Sequence, residues 1–270
     1  MTEGSLVEAG LTRCSVNVSF VFGDRPLDEG LAAAANAGFR TVELLDPYQY
    51  PATRIRARLD ELRLSVDLMN APMGDFAAGD RGFAGEPRRR AAFDKALGLT
   101  AAYADVLRPA KINVLAGREV EGIAVPDQLE CLRMNLLAAA DRLSGLGVRV
   151  VTELLNPLDT PGFLLSNLET VAALLGELDG LVGFQLDVFH LQRSRGNLIP
   201  SVRAMAPYTA HVQIADAPLR TEPGTGELNI ANILQAVREA GYSGLVGLEY
   251  TPTGRGDPFS WMSAAGCIPA

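Results

Sequence analysis

Positive charge is in deficit in this chain. Its 24 lysines and arginines face 32 acidic residues, for a formal net charge of -8 and a sequence pI near 4.9. A nucleic-acid partner wants a basic face, so none is expected. The three cysteines, Cys14, Cys131 and Cys267, are odd in number and far apart. That excludes a disulfide framework, offers no zinc-ligand spacing and fits a reducing cytoplasm. No apolar run approaches bilayer length, so no membrane span is expected. The segment Met1-Thr2-Glu3-Gly4-Ser5 lacks the charged-then-apolar pattern of a signal peptide. A soluble, cytoplasmic protein is the expectation, with self-association left open. No Gly-x-Gly-x-x-Gly turn follows the first strand-like run, which counts against a doubly wound dinucleotide fold. Tryptophan occurs once, at Trp261, and histidine twice, at His190 and His211.

What is present is apolar bulk and a rhythm. Hydrophobic residues make up 48% of the 270 residues, enough for one large core. Strand-like runs are expected at Cys14–Phe20, Thr41–Leu44, Ser65–Met69, Lys111–Leu115, Val148–Glu153, Val182–Asp187, Ala210–Gln213 and Leu245–Glu249. Helical patterns alternate with them: Leu27–Ala37, Thr53–Arg63, Arg88–Leu107, Pro126–Leu143, a helix capped by Asn167 and running to Leu178, a weaker one at Ile199–Met205, and Asn229–Ala240. Eight βα alternations without a composition break predict a single-domain (β/α)₈ TIM barrel. Its core spans about residues 14–250, with a Gly- and Pro-rich tail over 251–270 in which Trp261 packs as an ordinary side chain. Two loops exceed what connection requires, Asn70 to Pro87 and Ile214 to Leu228, and loops of that length in a barrel act as lids or binding segments.

Four consecutive strand-like runs end in oxygen-bearing side chains: Glu153, Asp187, Gln213 and Glu249. In a parallel barrel all strand C-termini open on one face, where active sites sit. Two Glu, one Asp and one amide oxygen form an all-oxygen donor set, which favours Mg²⁺ or Mn²⁺. Three carboxylates that close need a cation among them. Such an ion acts as a Lewis acid on a substrate carbonyl, and two glutamates beside it can move a carbon-bound proton. That chemistry is an aldose–ketose isomerisation without a redox cofactor. His190, three residues past Asp187, is placed to bond a substrate oxygen. His211 shares a strand face with Gln213 but sits deeper, as a core or supporting group.

These segments carry a family resemblance. Val151-Thr152-Glu153-Leu154-Leu155-Asn156, Leu186-Asp187-Val188-Phe189-His190, His211-Val212-Gln213-Ile214-Ala215-Asp216, Glu222-Pro223-Gly224-Thr225-Gly226-Glu227 and Leu248-Glu249-Tyr250 resemble the hydroxypyruvate isomerase family, in the xylose-isomerase-like barrel superfamily. The N-terminal half agrees at Asn17-Val18-Ser19, Val42-Glu43, Asn70-Ala71-Pro72, Gly79-Asp80-Arg81-Gly82 and Lys111-Ile112-Asn113. The resemblance covers about residues 14 to 262. It implies that Glu153 and Glu249 are both proton donor/acceptors and metal ligands, with Asp187 and Gln213 completing the set. Related ketose 3-epimerases have His where Gln213 stands, which leans away from them. The lip Met69-Asn70-Ala71-Pro72-Met73 departs from the bulkier Leu-Pro pair of many relatives.

The expected substrate is a small hydroxy-oxo acid, such as hydroxypyruvate going to tartronate semialdehyde, or a 2-oxo-tetronate. Asn70 and Glu222, in the two long loops, are expected to contact it. Its carboxylate needs local positive charge, for which Arg81, Arg118 and Arg220 are the loop candidates. The alternatives are a ketose 3-epimerase or a sugar-acid lyase or decarboxylase on the same barrel, and, less favoured, a barrel that binds a sugar without turning it over. A nuclease of the superfamily's DNA-repair type would need more histidines and a basic groove.

Overall fold

The structure is a computed structural model describing residues 11–270; the reading of Met1–Ser5 lies outside the described residues. The parallel strands β1 (Thr12–Asn17), β2 (Thr41–Leu44), β3 (Ser65–Asn70), β4 (Lys111–Asn113), β5 (Arg149–Glu153), β6 (Val182–Asp187), β7 (Thr209–Ile214) and β8 (Val246–Leu248) pair in chain order. β1 pairs with both β8 and β2, which closes the barrel. The chain is a single-domain (β/α)₈ barrel, as the alternation of elements requires.

The pleat sorts the side chains. On β6, Phe184 and Leu186 face the helices while Gln185 and Asp187 face the lumen; on β7, Val212 and Ile214 alternate with His211 and Gln213 in the same way. The lumen-facing groups bond to one another, Gln185 Nε2 to Gln213 Oε1 at 2.7 Å and Gln213 Nε2 to Glu43 Oε2 at 2.7 Å. The barrel axis is therefore polar, whereas barrels of this kind commonly fill it with branched aliphatic side chains. Glu43 fits there because β8 offers Gly247: a Cβ at that position would lie 2.2 Å from Glu43 Oε1. Gly247→Ala is accordingly expected to destabilise the fold by about 1–3 kcal/mol, the usual cost of overpacking a filled interior. An unchanged denaturant midpoint would contradict this packing.

Four details depart from the sequence reading. The first strand stops at Asn17, and Val18–Val21 forms a short helix, because the Asn17 side chain accepts the backbone N–H of Ser19 as a cap. The apolar run Val18–Phe20 looks like more strand, since periodicity cannot separate a buried strand from a buried turn of helix. A helix at Val188–Arg195 precedes the expected one, here Leu198–Met205. The tail holds a ninth strand, Cys267–Pro269, parallel to β1. It ends with the Ala270 carbonyl accepting the N–H groups of Arg40 (2.5 Å) and Thr41 (2.9 Å) beneath β2. Trp261 is more than packing: its Nε1–H donates to the Pro258 carbonyl at 3.1 Å and points at the Tyr250 hydroxyl at 3.3 Å.

Candidate active site at the strand C-termini

Each barrel strand delivers its last inward side chain to the mouth. Glu153 ends β5, Asp187 ends β6, and Glu249 follows β8; all are buried. Carboxylate oxygens of Glu153 and Asp187 and a ring nitrogen of His190 lie within 4.8 Å of one another. Arg220 joins the third carboxylate to them: its Nη2 donates to Asp187 Oδ2 at 2.9 Å and to Glu249 Oε2 at 2.5 Å. The guanidinium lies between two aromatic rings, 4.5 Å from the Phe20 centroid and 5.1 Å from that of Phe189, an arrangement that favours a delocalised cation.

Amides from neighbouring strands aim the carboxylates. Asn113 Nδ2 donates to Glu153 Oε1 at 2.7 Å, Gln185 Nε2 to Glu153 Oε2 at 3.1 Å, and Asn17 Nδ2 to Glu249 Oε1 at 2.8 Å. Asp187 Oδ1 caps the helix that follows, taking the N–H groups of Phe189 and His190, so Oδ2 is left for the mouth. His190 is held from behind. The Asn156 backbone N–H donates to its Nδ1 at 3.2 Å, which puts the proton of a neutral ring on Nε2, 3.7 Å from Asp187 Oδ2. Burial lowers the His190 pKa to about 4, so the ring is neutral near pH 7 and presents an N–H donor.

Ionised together, three carboxylates beside one guanidinium would leave this mouth with excess negative charge. Burial, with the Asp187 charge adding to it, pushes Glu153 up to about 8, even though the Asn113 amide and Arg220 pull it back. Glu249 is raised well above the ordinary carboxylate range by burial, outweighing the pull of Arg220. A buried all-oxygen cluster whose ionised form would carry surplus negative charge is what a hard divalent cation stabilises. Glu153, Asp187 and Glu249 fit such an ion. Gln213 belongs to the same strand-end register, pairing Cα to Cα with Asp187, but its amide here bonds Gln185 and Glu43 lower in the lumen.

The other sequence candidates fall in three places. Asn70 stands behind the site, its Oδ1 accepting from Asn113 Nδ2 at 3.2 Å, the same amide group that holds Glu153. Both Glu222 oxygens accept from Thr253, from its N–H at 2.8 Å and its hydroxyl at 2.5 Å. Arg81 lies over the Phe76 ring at 3.4 Å within its own loop, donating to the Phe76 and Asp80 carbonyls. Arg118 links the Gly79 and Pro161 carbonyls. Of the loop arginines considered, Arg220 is the one that touches the carboxylates of the mouth. His211 is fully buried, with Nε2 3.1 Å from Glu43 Oε1 and Nδ1 3.5 Å from Asp67 Oδ2, and Lys111 Nζ pairs with Asp67 at 2.7 Å. Of the supporting groups, Asn17, Glu43 and Asn113 stand in segments that carry the family resemblance but had no role assigned, and Gln185 was not singled out. For Gln185 the signal was its i, i+2 spacing to Asp187.

Comparison with known proteins gives the chain a family. The family model described as xylose isomerase-like TIM barrel matches residues 31–266. Hydroxypyruvate isomerase of Escherichia coli is 35% identical over 243 residues, 90% of this chain and 94% of the relative. A 2-oxo-tetronate isomerase of Cupriavidus necator is 35% identical over 93% of this chain and 98% of its own length. A solved structure from Brucella melitensis, titled AP endonuclease, family 2, superposes with a TM-score of 0.89 at 33% identity, covering 94% of this chain and 99% of that one. A D-allulose 3-epimerase from Methylomonas sp., solved with D-allulose, shares the fold at a TM-score of 0.73 and 20% identity, over 90% of this chain and 85% of that one. Among the described residues no helix is long and apolar enough to cross a membrane. The chain belongs to the xylose isomerase-like TIM barrel family and, within it, to the isomerase family that includes hydroxypyruvate isomerase and 2-oxo-tetronate isomerase.

Proposed function

We propose that this protein is a divalent-cation-dependent isomerase of a small hydroxy-oxo acid, of the hydroxypyruvate or 2-oxo-tetronate kind. The observation that carries the reading is the pair of buried, charge-strained glutamates, Glu153 and Glu249, with the cation Arg220 held among aromatic rings beside them. The similarity to isomerases of both substrates supports it. Mg²⁺ or Mn²⁺ would be held by Glu153, Asp187 and Glu249 and would stabilise negative charge developing on the substrate oxygens; Gln213 would join as the fourth donor by turning its amide oxygen away from Gln185.

The residues divide the remaining work. Arg220 takes the substrate carboxylate: its Nε is buried and has no hydrogen-bond partner in the protein, so a donor remains beside the two that Nη2 has spent. His190 offers its Nε2–H to a substrate oxygen. One glutamate removes the proton from the hydroxymethyl carbon and the other returns a proton to the adjacent carbonyl carbon, while the hydroxyl proton passes from the oxygen of the first carbon to that of the second through the enediol. No redox cofactor is needed, because the carbons exchange oxidation levels internally. Phe20 and Phe189, against the Arg220 guanidinium, keep water away from it. Glu222, whose oxygens are taken by Thr253, ties the loop after β7 to the one after β8 rather than meeting substrate. The acidic net charge opposes a nucleic-acid substrate, whatever the Brucella neighbour's title.

The test is turnover of hydroxypyruvate and of 2-oxo-tetronates by chelator-treated protein resupplied with Mg²⁺ or Mn²⁺, with product identified by NMR. No turnover of any of these acids would refute the reading. Arg220→Ala is expected to raise KM for the acidic substrate by about tenfold or more, the scale of a lost charge-assisted bond. Any turnover of a neutral ketose such as D-allulose should change much less. Equal losses on both would mean that Arg220 does not read the carboxylate.

A further inference from the structure

The loop that carries Arg220 is built around one buried carboxylate that the chemistry above does not use. Asp216 lies two residues past β7 and is fully buried. Its Oδ1 accepts the backbone N–H groups of Ala217 at 2.9 Å and Leu228 at 3.0 Å. Its Oδ2 accepts those of Gly224 at 2.8 Å and Gly226 at 2.9 Å. Its own N–H donates to the Thr221 carbonyl at 2.8 Å, and the Glu227 N–H reaches back to the Ala217 carbonyl at 2.9 Å. Both ends and the far limb of the loop therefore converge on a single side chain. The approach is so close that a Cβ on Gly226 would sit 2.0 Å from the Ala217 oxygen and 2.5 Å from Asp216 Oδ1.

Arg220 is what this cradle presents. Its φ is +58°, a left-handed conformation that a non-glycine residue holds only when its surroundings impose it. The constraint comes from both sides: Thr221 next to it is bridged to Asp216, and the Arg220 carbonyl accepts the Thr251 N–H at 2.9 Å. From that backbone position the side chain passes between Phe20 and Phe189 to reach Asp187 and Glu249. We propose that Asp216 is the positioning residue for substrate recognition: by gathering four backbone N–H groups onto one carboxylate it fixes the loop shape that puts the Arg220 guanidinium at the mouth, and it acts on the substrate only through Arg220. This rests on the reading of Arg220 as the ligand of the substrate carboxylate.

A double-mutant cycle tests it. Asp216→Asn keeps the shape of the side chain but replaces one acceptor oxygen with an NH₂ that faces backbone donors. With Arg220 present, Asp216→Asn should raise KM for hydroxypyruvate about tenfold while kcat falls less. In the Arg220→Ala background the same change should cost less than about twofold, because there is no guanidinium left to misplace. Circular dichroism melts would confirm that each variant is folded at the assay temperature. Should Asp216→Asn not fold, Gly226→Ala, which crowds the same carboxylate from the other side, must give the same non-additive pattern. Equal losses in both backgrounds, or no loss in either, would overturn the proposal and leave Asp216 a loop-stability residue. If Arg220→Ala alone leaves KM for hydroxypyruvate unchanged, the carboxylate-binding reading itself has failed. That result is separable from a large Arg220→Ala effect combined with additive Asp216→Asn.

Discussion

Glu153→Gln and Glu249→Gln are each expected to lower kcat by roughly a hundredfold or more, the usual scale of a lost general acid or base, while leaving Mn²⁺ binding weakened yet measurable. The substitution keeps an oxygen able to coordinate and removes the group that carries the proton. The structure makes the two replacements comparable in their surroundings. Glu153 receives amides from Asn113 and Gln185, and Glu249 one from Asn17 and a guanidinium N–H from Arg220. A Gln side chain can present its carbonyl to only one of the two donors while its NH₂ faces the other, so circular dichroism melts must show each variant folded at the assay temperature. Solvent deuterium separates the two roles. In D₂O the wild-type product should carry deuterium at the carbon that receives the proton, provided the proton exchanges on the way. The variant that retains the abstracting base should still wash the substrate's carbon-bound proton out without forming product, and the other should do neither. Near wild-type turnover in both variants would reduce the glutamates to ligands or rim charges.

The barrel was legible because its signal repeats. Eight apolar runs alternating with helical patterns leave little choice of topology, and the closed pairing of β1 with β8 and β2 follows. The mouth was legible for a related reason: a polar residue at the end of an apolar strand is conspicuous, and Glu153, Asp187 and Glu249 all stand there. Arg220 was one of three loop arginines on equal footing. What distinguishes it is a left-handed backbone and two aromatic walls contributed by Phe20 and Phe189, from distant parts of the chain, and neither can be seen in linear order. The strand Cys267–Pro269 was missed because a three-residue strand has no period to detect; it exists by completing the backbone hydrogen bonds of β1 and of residues 40–41. Glu43 was hidden differently. A charged residue inside Val42-Glu43-Leu44 is legible as unusual, but its partners Ser15, Gln213 and His211 come from strands that meet only across the lumen.

Chelator-treated protein is expected to lose stability as pH rises from about 4.5 to 8, and Mn²⁺ or Mg²⁺ is expected to abolish most of that loss. Glu153 has a folded-state pKa raised from 4.5 to about 8, by burial first and by the Asp187 charge second. Over that interval the folded state holds a proton that the unfolded state has released. Stability is therefore greatest below the unfolded pKa and declines as pH climbs toward the folded one. At 1.36 kcal/mol per decade, Glu153 alone accounts for a decline on the order of 4 kcal/mol. Glu249, raised in the same direction, adds to it, and the two are coupled through Asp187 and Arg220. Against a typical total of about 5–15 kcal/mol this is large, and it corresponds to a fall in Tm on the order of 10 °C for a chain of this size. A divalent cation held by these carboxylates favours their ionised forms and so pulls the folded-state pKa values down. The melting temperature should then rise with added ion, and its slope with pH should flatten. Calorimetric melts from pH 5 to 8, with chelator and with Mn²⁺, measure both effects without reference to turnover. Glu153→Gln supplies the control: lacking the titrating group, its metal-free form should show a shallower slope than wild type. Identical slopes with and without the ion would mean that the buried carboxylates are balanced by Arg220 alone, and that the mouth is not a cation site.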